Sequence, residues 1–170
     1  VPDPGYVIAS RFASAQVDTL AIVPGQPLKP GKKIWLSRSK LHSNYVENEH
    51  QIEDALMKHG WIIFAPEEHD IATQINMLSD AERLAGIDGS AFHSLIFLKN
   101  YRGRIDVFKR YERGSWNLLL IAETLQHKLS LHGDHLKEML NLTPERRPWE
   151  SNWRLKAIDA ILNKLDLSST

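Results

Sequence analysis

The chain has 170 residues, 42% of them apolar and 25% charged, and its 21 basic side chains are balanced by 21 acidic ones. That length supports one domain able to bury a core without staples, and the neutral balance argues against nucleic acid or an acidic membrane surface as partner. With no cysteine, disulfides and thiolate sites are excluded, and no apolar run approaches the ~20 residues of a membrane span. The chain opens Val1-Pro2-Asp3-Pro4, with no initiator methionine and no signal peptide, so it is expected to be part of something longer.

Residues 1–30 read as a lead-in segment and linker, with "GYVIAS" and "DTLAIV" as short strands and "PGQPLKPGKK" as the connection. Residues 31–170 read as one α/β lobe. "KIWLS" places Ile34, Trp35 and Leu36 in a buried strand. "NEHQIEDALMKHG" predicts a helix with Asn48 as N-cap, Gln51 as its capping-box partner and Gly60 just past the end. Ile52, Ala55, Leu56 and His59 share one face of it. "WIIFA" is a second strand stopped by Pro66, and "DIATQINMLSDAE" a helix capped by Asp70. "RLAGI" is a third strand, after which a helix restarts near Ser90 with Phe92, Leu95 and Ile96 on its apolar side. "RIDVFKRY" alternates Ile105, Val107 and Lys109 as a fourth strand. Beyond it, "SWNLLLIAETLQHKLSLHG" predicts one long helix and "DHLKEML" a short one. A proline-rich loop, "NLTPERRPWESNW", leads to a last helix with Leu155, Ile158, Ile161, Leu162 and Leu165 on one face. Strands alternating with helices predict a mainly parallel, Rossmann-like sheet with helices on both faces.

In such a sheet, ligands bind beyond the carboxyl ends of the strands. Those ends read Ser37-Arg38-Ser39, Pro66-Glu67-Glu68, Asp88-Gly89-Ser90 and Arg110-Tyr111. The donor fork of Arg38 suits a diphosphate or carboxylate, and a surface ion pair with Glu49 or Glu67 is the competing reading. Gly89-Ser90 opens a helix whose free N–H groups and partial positive charge suit a phosphate, while a plain turn capped by Ser90 explains it equally simply. Neither GxGxxG nor GxxxxGK[ST] occurs. His132 and His135 flank Gly133-Asp134 without an evident third ligand, so no metal site is expected.

Taken as a unit, residues 33–98 resemble the family 61 glycosyltransferases, the capsular polysaccharide biosynthesis type. The matching elements are Ser37-Arg38, Asn48-Glu49, Gly60-Trp61, Pro66-Glu67, Gln74 and the block Gly86 to Ser90, with "PGYVIASRF" near the start. The resemblance spans roughly residues 5 to 110. It implies the two-lobed glycosyltransferase-B architecture, of which this would be the C-terminal, nucleotide-sugar-binding lobe. It also implies metal-independent transfer from a nucleotide-sugar donor, with no further cofactor, to a glycan or polysaccharide acceptor. The expected donor-binding residues are Ser37, Arg38, Asn48, Glu49, Asp88, Gly89 and Ser90. The base would come from the missing N-terminal lobe, so no catalytic residue is assigned and the isolated chain is expected to be inactive. The implied location is cytoplasmic or at the inner face of the membrane. Family members commonly carry histidine where this chain has Asp88, a carboxylate suited to ribose or sugar hydroxyls. That residue also supports the alternative of a non-catalytic nucleotide- or glycan-binding module.

Overall fold

Five strands hydrogen-bond side by side, all parallel, in the computed structural model, which describes residues 6–7, 11–12, 14–110, 116–133, 135–139 and 152–167. The lead-in forms β1 (Tyr6–Val7) and β2 (Arg11–Phe12), an antiparallel pair, then α1 (Ser14–Leu20) and β3 (Val23–Pro24). The expected "DTLAIV" strand is therefore mostly helix end. Val17 and Ala21, four residues apart, face the core while Ile22 is exposed, which is helical rather than alternating spacing. Strand β4 (Lys29–Leu36) begins inside the expected linker, with a register shift between Lys29 and Lys33 against its neighbour.

From β4 the chain runs through α2 (Glu49–Lys58), β5 (Trp61–Phe64), a 3-10 turn at Pro66–Glu68, α3 (Ile71–Ser79) and β6 (Ala81–Ile87). Gly60 adopts φ 75°, the left-handed conformation that ends α2, and the Asp70 carboxylate caps α3 by accepting from Thr73 N at 2.7 Å. The helix at Ser90–Phe97 is 3-10 rather than α, and β7 (Leu98–Lys99) and β8 (Arg104–Phe108) follow. β7 pairs with β3 beside the main sheet.

The long helix expected after residue 115 divides into α4 (Trp116–Thr124) and β9 (Lys128–His132). Gln126 at φ 56°, with His127 N donating to Ala122 O at 2.8 Å, closes α4 in a Schellman-type cap. The alternating "KLSLH" then pairs with β8, and tertiary pairing overrides helical continuity. "DHLKEML" likewise supplies β10 (Leu136–Met139), antiparallel to β11 (Asn152–Leu155), so only α5 (Ile158–Lys164) remains of the last predicted helix. Most of the proline-rich loop between β10 and β11 lies outside the described residues.

The sheet order is β5-β4-β6-β8-β9. The chain steps outward from β4 to β5, then returns across β4 to β6 and continues the other way. Right-handed crossovers then place α2 on one face and α3, the 3-10 helix and α4 on the other. Alternation within the strands fills both layers: Ile34, Leu36, Leu84, Ile105 and Val107 face α3 and α4, while Trp35, Ala85, Ile87 and Phe108 face α2 and α5. Each large apolar side chain so buried contributes ~1.5–3 kcal/mol.

One carboxylate interrupts the second layer. Asp106, with no exposed surface, receives Arg83 Nε at 2.8 Å, Arg104 Nε at 3.1 Å and His132 Nε2 at 2.8 Å. Arg83 also donates to Leu165 O at 2.7 Å and Lys164 O at 3.1 Å, which ties the carboxyl end of α5 to the sheet. Asp106→Asn would leave Arg83 only the exposed carboxylate of Asp166, at 3.1 Å, and the helix-end carbonyls, at a cost of up to about 3–5 kcal/mol. Urea denaturation should show that loss, with amide exchange in α5 accelerated first. Unchanged stability would contradict this account of the anchor.

Candidate functional site

Because helices leave β4 and β6 toward opposite faces, the ends of these neighbouring strands part and leave a gap, the usual ligand position in open parallel sheets. A cleft of about 190 Å³ occupies it, with Ser37 and Arg38 from the end of β4 and Ser90 and Ala91 from the start of the 3-10 helix. Glu67 and Gln74 form the third side. Ser37 N continues the ladder to Phe64 O at 2.8 Å, and the Ser37 hydroxyl donates to Glu53 at 2.5 Å. Gln74 ties the walls together: its amide donates to Pro66 O at 2.8 Å and its carbonyl accepts from the Ser94 hydroxyl at 3.2 Å.

Arg38 is 7% exposed. Its guanidinium does not make the surface ion pair weighed above. Nε and Nη2 both donate to the Asn44 carbonyl, at 3.1 and 2.9 Å. Glu49 instead accepts the main-chain N–H of Arg38 at 3.0 Å and the Trp35 indole at 2.9 Å. Burial, reinforced by the neighbouring charge of Arg110, lowers the Arg38 pKa to about 10, so the group remains a cation at neutral pH. Nη1 lies beside Gly89, where an added Cβ would sit 2.0 Å from it. The backbone of Gly89 is extended, φ −177°. Close approach of the guanidinium, rather than an unusual turn, is therefore what demands glycine.

The seven sequence-predicted residues do not all converge. Ser37, Arg38 and Ser90 line the cleft, with Gly89 packed against Arg38. Asp88 is 3% exposed; its main-chain N–H donates to Phe108 O at 2.9 Å, and its charge acts on both Arg38 and His93. Asn48 does not cap α2 with its side chain. Its amide instead exchanges hydrogen bonds with the backbone of Leu155, at 2.8 and 3.2 Å. Glu49 is fully buried behind Arg38. Sequence reasoning missed Asn44, which sits at φ 57° and also accepts from Arg110 Nη1 at 3.3 Å. The only local signal was an asparagine in a polar loop, a residue type that tolerates this conformation. Of the two flanking histidines, His132 is bound to Asp106 and His135 lies edge-on to Phe108.

An all-parallel sheet reversing at β4, with a cleft over the reversal that holds Arg38, defines a Rossmann-like α/β domain. The family model described as Glycosyltransferase 61 matches residues 6–104, and the chain belongs to that family. Membership assigns it to glycosyl transfer in glycan biosynthesis. A search of curated proteins finds no match.

Glu49 makes the site sensitive to pH. Burial raises its carboxyl from 4.5 to about 8, against the opposing hydrogen bond from Trp35, while Glu53 pushes the same way as burial. The folded state then holds a proton that the unfolded state releases, so this contribution to stability is complete below about pH 4.5 and lost as pH rises through about 8. Melting temperatures across that interval should fall with pH in wild type and run flatter in Glu49→Gln. Parallel curves would show that Glu49 carries no such proton.

Proposed function

We propose that this chain is the donor-binding lobe of a metal-independent glycosyltransferase of the two-lobed B architecture, with a nucleotide sugar as donor and a surface glycan or polysaccharide as acceptor. The observation that carries the reading is the buried Arg38 guanidinium at the strand reversal, set beside the start of a helix. As a glycosidic bond to a nucleoside diphosphate breaks, negative charge accumulates on the leaving phosphate. A fixed guanidinium in a partly dry cleft stabilises that charge without reorganising. Its Nη1 end, which Asn44 does not occupy, also orients the diphosphate, and the 3-10 helix start at Ser90 adds a favourable dipole.

The cleft is large enough for a diphosphate. A second, largely apolar pocket of about 400 Å³ adjoins it at Ser90, with Leu20, Ile71 and Phe97 in its walls, and gives room for the rest of the donor. On this reading the acceptor and the base that deprotonates it belong to the opposite lobe, and the chain alone binds donor without transferring sugar. Asp88 lies near enough to Arg38 to influence its charge, and it would orient donor hydroxyls rather than repel the diphosphate.

Calorimetric titration with uridine and cytidine diphosphates tests the reading. Charge-assisted hydrogen bonds contribute ~1.5–3 kcal/mol each, so Arg38→Ala should weaken binding about tenfold to a hundredfold. Arg38→Lys should restore part of it, because an ammonium keeps the charge and loses the fork. Gly89→Ala should reach a similar loss by displacing the guanidinium. Thermal melts of the same variants separate lost binding from lost folding, since Arg38 also holds the Asn44 carbonyl. Equal affinity in wild type and folded Arg38→Ala would remove Arg38 from the donor site.

A further inference from the structure

We infer that the apolar pocket beside the Arg38 cleft takes the nucleobase of the donor, with His93 as a specificity-determining contact. The inference rests on the donor-site reading, because it concerns the uncharged end of the same ligand.

Two cavities share a wall. Ser90 lines both the cleft that holds Arg38 and the pocket of about 400 Å³ next to it. A ligand with one charged end and one uncharged end can therefore occupy both at once. The cleft supplies the cation. The pocket is walled mainly by apolar side chains: Leu20 of α1, Ile71 of α3, Ile96 and Phe97 of the 3-10 helix, and Ile121 of α4. Among the described residues, no lysine, arginine or carboxylate lines it.

His93 is the polar exception. It lines the pocket, is half-buried, and has no hydrogen-bond partner for its ring among the described residues. Burial lowers its pKa below the ordinary histidine value, against the opposing charge of Asp88, so the ring is neutral at neutral pH. A neutral imidazole offers one N–H donor and one lone-pair acceptor. The nearby Ser94 hydroxyl is already given to Gln74. The uncommitted hydrogen bonds of His93 thus suit an uncharged polar group, whereas Arg38 suits an anion.

The chemistry of the walls decides which part of a nucleotide sugar enters. A sugar carries a hydroxyl on most of its carbons, and against these walls many of them would lose water without gaining a partner. A nucleobase is flat and apolar on its faces, and it keeps its N–H donors and carbonyl or ring-nitrogen acceptors on its edge. The faces suit the aliphatic walls and the Phe97 ring, and the edge suits a neutral imidazole. The base therefore enters the pocket and the sugar stays outside it.

Calorimetric titration with uridine, cytidine and guanosine diphosphates, and with inorganic pyrophosphate, separates the two ends of the ligand. Wild type should bind at least one nucleotide clearly more tightly than pyrophosphate. His93→Ala should weaken that nucleotide by about three- to tenfold, the range of one neutral hydrogen bond, and leave pyrophosphate unchanged. His93→Gln keeps a neutral donor and acceptor and should recover part of the loss. Ile71 is half exposed where it lines the pocket, so Ile71→Trp fills the space a base needs with little demand on the fold. It should bring nucleotide affinity down toward that of pyrophosphate. Thermal melts confirm that each variant is folded. If folded His93→Ala and Ile71→Trp bind nucleotides as wild type does while Arg38→Ala does not, the donor reading stands and this inference fails. Equal wild-type affinity for pyrophosphate and all three nucleotides would also overturn it, and binding of no probe at all would overturn the donor reading with it.

Discussion

The guanidinium of Arg38 lies where a side chain of residue 89 would have to be, and much of the candidate site follows from that contact. It joins the ends of β4 and β6, the two strands between which the chain changes direction. A parallel sheet creates such a gap by topology alone, but topology supplies no charge. The packing of Arg38 against Gly89, with its other nitrogens on Asn44, places a cation in the gap in one orientation.

Holding a cation there has a cost. Burial lowers the Arg38 pKa and raises that of Glu49, so the site works against the folding equilibrium. The remainder of the molecule compensates with two well-filled apolar layers and the Asp106 cluster that fixes α5. That cluster lies under the layer opposite α3, and its cations are already paired with carboxylates or helix-end carbonyls. The Arg38 guanidinium rests on the neutral Asn44 carbonyl instead. On the donor-site proposal, the contrast separates an arginine used as a structural tie from one turned toward a ligand.

Much of this architecture was legible in sequence because it depends on local pattern. "KIWLS", "WIIFA" and "RLAGI" are short apolar runs that have no other place than a covered parallel strand, and Asp70 and Gly60 mark helix ends by their own chemistry. Ser37-Arg38 and Gly89-Ser90 were identifiable as strand tips for the same reason. What failed depended on distant partners. "KLSLH" and "LKEM" become strands only because β8 and β11 are there to pair with them, and an apolar run beside α4 is helical in isolation. Asn48 has the identity and position of an N-cap, yet Leu155, 107 residues later, takes its amide. Arg110 was legible only as a strand tip, and no periodicity joins it to Asn44, 66 residues earlier, whose side chain accepts its hydrogen bond. Family resemblance covered every residue that lines the cleft and did not reach β9, which closes the far edge of the sheet.

A crystal structure of the chain soaked with uridine diphosphate would locate the phosphates themselves, where affinity only infers them. A phosphate oxygen should lie within hydrogen-bonding distance of Arg38 Nη1, between Ser37 and the start of the Ser90 helix, with Gly89 unmoved. Diphosphate bound elsewhere, with Arg38 still turned only to Asn44, would contradict that placement.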